Sequence, residues 1–120
     1  EAESGFENIL KYGLPVLKKY SNNGYSKNFS SIQTLISLMS EVNDTNILYR
    51  SDIRTLKYIQ KKFKKLKEEG GILKKSGKKE YMNLCNYMKR KSISPGGSAD
   101  LLAATHLFYN IEMNFNQINI

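Results

Sequence analysis

Two short polar stretches hold most of the residues that could do chemistry in this chain of 120 residues. One runs Ser92-Ile93-Ser94-Pro95-Gly96-Gly97-Ser98-Ala99-Asp100 and passes at once into the apolar Leu101-Leu102-Ala103-Ala104-Thr105; the other is Asp44-Thr45-Asn46-Ile47-Leu48-Tyr49-Arg50. The first reads as a loop that turns directly into a helix. Proline is tolerated in a first helical turn, where its missing N–H is no loss. Two glycines remove side chains where the unpaired helix N–H groups point outward, so a ligand can approach the backbone closely. Ser94 or Ser98 can cap, and the positive end of the helix dipole favours an anion. The turn is therefore a seat for phosphate, or else an ordinary capped turn ahead of a core helix. In the second stretch Asp44 suits the N-cap of a short helical turn, with Arg50 further along it or at its end. The plainer alternative there is a helix–helix junction with a solvent-facing arginine.

Other reactive side chains are sparse. Cys85 is the single cysteine. It shares a helix face with Tyr81, Leu84 and Met88, which reads as a small core residue. His106 has no second histidine or cysteine to form a zinc site, and reads as structural.

The elements that must position these groups are helical. Phe6, Ile9, Leu10, Leu14, Leu17 and Tyr20 follow helical spacing, with a kink expected at Gly13 and Pro15. Ile32, Leu35, Ile36, Met39 and Val42 form one apolar stripe of a second helix, capped by Ser30 or Ser31 and broken at Asn43-Asp44. The longest helix is expected from Ser51 or Asp52 to about Glu69, with Ile53, Leu56, Ile59, Phe63 and Leu66 buried and Gly70-Gly71 ending it. A loop through Lys74–Gly77 and a helix from about Lys79 to Lys91 follow. The last helix, from about Pro95 to Ile111, is apolar almost all round, as in a core-central helix or one covered by another chain. Residues 114–120 are expected to fray. No stretch alternates long enough for a strand. The expectation is all-α: a compact bundle of about five or six helices, one domain over residues 1–120.

Composition narrows the partners. The net charge is +8, but residues 54–91 carry 14 basic and 3 acidic side chains, while the rest of the chain is net negative. Such asymmetry suits a polyanion, which includes nucleic acid, a membrane surface or phosphorylated small molecules; a solvated lysine face is the blander reading. No apolar run approaches the ~20 residues that span a bilayer, and the acidic start does not look like a signal peptide. One cysteine and no disulfide framework fit a reducing cytoplasm.

The string from Ser94 to Thr105, together with Asp44–Arg50, resembles the triphosphoribosyl-dephospho-CoA synthase family. Glu1-Ala2-Glu3-Ser4-Gly5-Phe6, Gly13-Leu14-Pro15 and Gln33-Thr34-Leu35-Ile36-Ser37-Leu38-Met39 extend that resemblance in the family's order. It matches the family's C-terminal portion, without the upstream half and its Lys-Pro-Gly segment. Surfaces facing that half are expected to be exposed, covered by the missing part, or covered by self-association.

The resemblance implies a transferase acting on ATP and 3′-dephospho-CoA. Adenine leaves, the 2′-hydroxyl of the acceptor attacks the anomeric carbon, and the product is the prosthetic-group precursor for the acyl-carrier subunit of citrate lyase or malonate decarboxylase. It also implies roles. Asp44 and Asp100 become the catalytic candidates, as general base or Mg²⁺ ligand. Arg50 offers a planar charged fork to phosphate. Ser94, Gly96, Gly97 and Ser98 offer donors to the same group, and Asn46 orients a ribose hydroxyl. Glu1 and Glu3 lie in a matched motif as well. Asp44, Arg50 and the Pro95–Asp100 turn are expected to meet at one polar cleft. The competing reading is a non-catalytic basic helical module binding nucleic acid or another polyanion. Aromatic residues at apolar helical positions argue against nucleic acid.

Overall fold

The computed structural model describes residues 5–118, of which 116–118 as backbone only. Glu1 and Glu3 lie outside the described residues. Helix α1 (Gly5–Asn8), a π-helical turn (Ile9–Gly13) and α2 (Leu14–Asn22) form one continuous rod. The expected kink is this π turn. Pro15 falls in the first turn of α2, where no backbone donor is lost. Gly13 lies against the side chain of Thr105, which leaves no room for a Cβ.

After the rod come α3 (Lys27–Glu41), α4 (Thr45–Arg50), α5 (Ile53–Glu68), α6 (Lys75–Arg90) and α7 (Gly96–Ile118). With the rod counted once there are six helical segments and no strand among the described residues, so the all-α expectation holds. Several boundaries move. α3 begins earlier than expected, because Ser26 rather than Ser30 or Ser31 caps it, accepting the Phe29 N–H at 3.1 Å. α5 is capped by Asp52, whose carboxylate accepts the Thr55 N–H at 2.8 Å.

Gly70 (φ 104°) and Gly71 (φ 62°) end α5 in the left-handed region, as the sequence suggested. Gln33 locks that turn: its Oε1 accepts the Ile72 N–H at 2.9 Å, and its Nε2 donates to the Gly70 carbonyl at 3.1 Å. The turn closes so tightly that α6 starts at Lys75, within the stretch expected to be a loop. The longest helix is α7, with 23 residues, not α5 with 16, and it continues to Ile118, within the segment expected to fray.

α3 is the central helix, packed on α5, α2, the π turn and α7. The expected single stripe is too narrow a description. Ser30, Thr34, Ser37 and Ser40 on its other faces are buried, while Ile32 and Leu35 are half-buried. Small side chains let neighbouring helices approach closely; Lys67 Nζ of α5 donates to the Ser37 hydroxyl at 2.9 Å, while the Ser30 hydroxyl has no partner among the described residues. Thr34 donates to the Ser30 carbonyl at 2.7 Å, and Ser40 to that of Ser37 at 2.6 Å.

On the opposite side Ile36 and Met39 join Ile47, Leu56, Ile59, Phe63, Leu66 and Met88 in the main core. Each large side chain buried there contributes about 1.5–3 kcal/mol relative to exposure. Ile53, expected in that stripe, is 53% exposed.

α7 occupies an edge rather than the centre. The Glu112 carboxylate pairs with Lys18 of α2 at 2.7 Å, and the Tyr109 hydroxyl donates to Asn22 at 2.9 Å. His106 and Ser31 of α3 share a hydrogen bond of 2.7 Å. The outer face, with Leu107, Phe108, Ile111, Met113 and Phe115, remains exposed, and Phe6 of α1 sets its ring edge against Phe108. Among the described residues no helix is long and apolar enough to cross a membrane.

Candidate functional site

The break between α3 and α4 is held from α5. Gln60 Nε2 donates to the Val42 carbonyl at 2.8 Å and to Asn43 Oδ1 at 3.0 Å. Asp44 follows in extended conformation and caps α4: its Oδ1 accepts the N–H groups of Asn46 (2.9 Å) and Ile47 (3.3 Å). The same carboxylate reaches across to α7. Oδ1 accepts the Gly97 N–H at 3.3 Å, while Oδ2 accepts both the Ser98 N–H at 2.7 Å and the Ser98 hydroxyl at 2.8 Å.

One side chain thus accepts five donors and satisfies the starts of two helices, with both dipoles aimed at its charge. Asp44 is 2% exposed and Ser98 fully buried. The glycines belong to this junction. A Cβ on Gly97 would fall 3.1 Å from Asp44 Oδ1, and one on Gly96 would collide with the Asn46 amide.

The two polar stretches therefore meet, but as a buried junction and not as an open cleft. The phosphate seat expected at Ser94, Gly96, Gly97 and Ser98 is partly filled from within, because Asp44 takes the donors of Gly97 and Ser98. Asp44 was expected to serve as base or Mg²⁺ ligand, yet its oxygens already face five donors. Asp100 is exposed on α7, four residues beyond Gly96 and so on the face that meets Asn46. No group of three or more metal-binding side chains occurs among the described residues. Arg50 ends α4, roughly 9 Å of helix rise from its cap. Asn46, Arg50 and Asp100 are all exposed around the junction. Among the described residues neither the Arg50 nor the Asp100 side chain has a hydrogen bond or ion pair.

Ser94 is placed differently. With Pro95 it stands at a groove of 350 Å³ between α3, α5 and α6, walled by Leu35, Met39, Phe63, Tyr81 and Met88. The sequence pattern treats most of these residues as core, and so does not show the groove. The signal available was Tyr81 and Cys85, two polar-tipped side chains one turn apart on the apolar face of α6. Burial, then the neighbouring Cys85, pushes the Tyr81 hydroxyl up to about 12. His106 is held below its ordinary value, first by burial and then by Lys27.

Comparison with known proteins gives one family. The CitG family, described as ATP:dephospho-CoA triphosphoribosyl transferase, matches residues 1–119. A "Probable 2-(5''-triphosphoribosyl)-3'-dephosphocoenzyme-A synthase" of Malonomonas rubra is 42% identical over 105 residues, covering 88% of this chain and 33% of the relative. The 2-(5''-triphosphoribosyl)-3'-dephosphocoenzyme-A synthase of Escherichia fergusonii is 37% identical over 105 residues, covering 88% and 35%. A further relative, from Acinetobacter calcoaceticus and named as the first is, is 35% identical over 119 residues, covering 98% and 40%. The chain thus spans about a third of the length of the first relatives. No solved structure matches it.

Proposed function

The chain belongs to the ATP:dephospho-CoA triphosphoribosyl transferase family, and on that footing we propose that it supplies part of the active site of such a transferase. The reaction moves the triphosphoribosyl group of ATP to the 2′-hydroxyl of 3′-dephospho-CoA. The bond from the anomeric carbon to adenine breaks, and adenine leaves with its electron pair. The acceptor oxygen bonds to that carbon, and its proton passes to a base. Positive charge develops on the ribose ring, so a carboxylate beside it stabilises the transition state or takes the proton.

Asp100 fills that role better than Asp44, because its oxygens accept no bond among the described residues. Asp44 is a positioning residue, which fixes α4 and α7 against each other and so sets Asn46 and Asp100 on neighbouring surfaces. Arg50 takes phosphate oxygens in a bidentate grip, and Asn46 together with the Ser94 hydroxyl binds the sugar and phosphate. Mg²⁺ brought with the triphosphate would offset its charge, and Asp100 is the carboxylate that would hold it. The exposed apolar face of α1 and α7 is covered by further polypeptide, equivalent to the rest of the relatives' length, or by self-association. A cytoplasmic location suits ATP as donor, and the product serves the acyl-carrier subunit of citrate lyase or malonate decarboxylase.

The observation that carries the reading is the Asp44 bridge, which joins the two family motifs into one unit. The assay follows adenine released from ATP in the presence of 3′-dephospho-CoA. It uses the chain alone and the chain with the part of the Malonomonas rubra relative outside the matched 33% added as a separate polypeptide. Asp100→Asn is expected to lower kcat by about a hundredfold or more, and Arg50→Ala to raise the KM for ATP. Wild-type kinetics in both variants would overturn these assignments.

A further inference from the structure

The groove beside Ser94 has no part in the junction, yet it opens on the same turn. Its walls are apolar and close: Leu35 and Met39 from α3, Phe63 from α5, Tyr81 and Met88 from α6. Such walls suit a flat ring with apolar faces, since aromatic rings and thioethers pack well on π-systems. The polar residues lining it are few, namely Tyr81, Cys85, Lys89 and Ser94. A volume of 350 Å³ falls at the small end of the roughly 300–1,000 Å³ typical of ligand pockets. That is room for a base with part of a sugar, and too little for a whole 3′-dephospho-CoA. Pro95, which lines the groove, directly precedes Gly96 at the Asn46 contact, so a ligand seated here lies next to the family motif.

We infer that this groove is the seat of the adenine base of a nucleotide substrate, with Lys89 at its edge to meet the phosphates. The inference rests on the transferase reading, and it adds where the base goes. Both substrates named in the family description carry adenine, so the chemistry is shared and the test must separate them.

Cys85 gives a direct reporter, because it lines the groove and is the single cysteine of the chain. The rate of its alkylation by a maleimide is followed by mass spectrometry with adenosine, ATP, S-methyl 3′-dephospho-CoA or tripolyphosphate present, alongside calorimetric binding of each. Adenosine and ATP are expected to slow labelling at least fivefold at saturation, and tripolyphosphate to leave it unchanged. Whichever of ATP and the S-methyl acceptor protects at its calorimetric Kd names the substrate whose base sits here. Leu35→Trp, which fills the groove, is expected to weaken binding of the protecting compound at least tenfold with an unchanged far-UV circular dichroism spectrum. If neither ATP nor the S-methyl acceptor slows Cys85 labelling when bound, or if folded Leu35→Trp binds the protecting compound as the wild type does, the groove is not the base site and the transferase reading stands. Failure of every adenine compound to bind overturns both.

Discussion

Removing the Asp44 carboxylate should cost more than removing any ordinary helix cap. In Asp44→Ala the N–H groups of Asn46, Ile47, Gly97 and Ser98 and the Ser98 hydroxyl all lose their acceptor. Losing one N-cap costs about 1 kcal/mol, and two helices lose theirs here. The Ser98 groups lie in the fully buried part of the junction and add roughly 1–3 kcal/mol as unsatisfied donors. The expected loss is about 3–5 kcal/mol, a large part of the roughly 5–15 kcal/mol that holds a domain together. In urea it corresponds to a midpoint shift of about 2 M for the slopes usual at this size. Asp44→Asn retains one carbonyl oxygen and should lose about half as much, since its amide nitrogen would face the Ser98 N–H in place of an acceptor. The measurement is urea unfolding by circular dichroism, with Asp52→Ala as reference for a single, fully exposed cap. Equal midpoint shifts in Asp44→Ala and Asp52→Ala would refute the idea that one carboxylate ties two helices together.

Three further outcomes can be checked on the same protein. His106 binds its proton less readily in the folded state than at the ordinary value of 6.5, so its stabilising contribution is intact above that pH and declines as pH falls through the lower folded value. The wild type should therefore lose more stability between pH 7.5 and 5.5 than His106→Gln, and equal losses would contradict this. Tyr81, raised from 10.0 to about 12, favours the folded state below pH 10 and loses that contribution as pH rises through about 12. Spectrophotometric titration should show a late-ionising tyrosine that is absent in Tyr81→Phe; a titration unchanged by the substitution would count against it. Last, the apolar face of α7 should drive self-association of the isolated chain. Ile111, which is 53% exposed, can be changed to Glu without loss of thermal stability, and light scattering should then report a smaller species. A wild-type monomer at the same concentration would contradict this.

The helices themselves were legible because their signals are local. Asp44 and Asp52 before helical runs, Gly70-Gly71 after one, and the stripe Leu56–Ile59–Phe63–Leu66 are all read within one or two turns of chain. What sequence reading missed depends on packing. Ser30, Thr34 and Ser37 look like a solvent face, and only their close neighbours show that α3 is buried on that side. α7 looks like a central helix because its residues are apolar, yet it lies at an edge with its outer face exposed. The Pro-Gly-Gly turn looked like a seat for a bound phosphate, and a carboxylate sits there. It is the chain's own Asp44, brought in from 53 residues away. No local rule could have named that partner. In the proposed function the same pairing is the reason Asp100, not Asp44, takes the chemical role.

The most direct test of the central claim, that two joined motifs form the nucleotide-handling face, is an amide NMR titration of the labelled chain with ATP and Mg²⁺. The account predicts that the largest shifts cluster at Asn46, Arg50 and Ser94–Asp100, on both sides of the Asp44 bridge. Shifts confined to the lysine-rich surface of α5 and α6, with the two motifs unmoved, would contradict it.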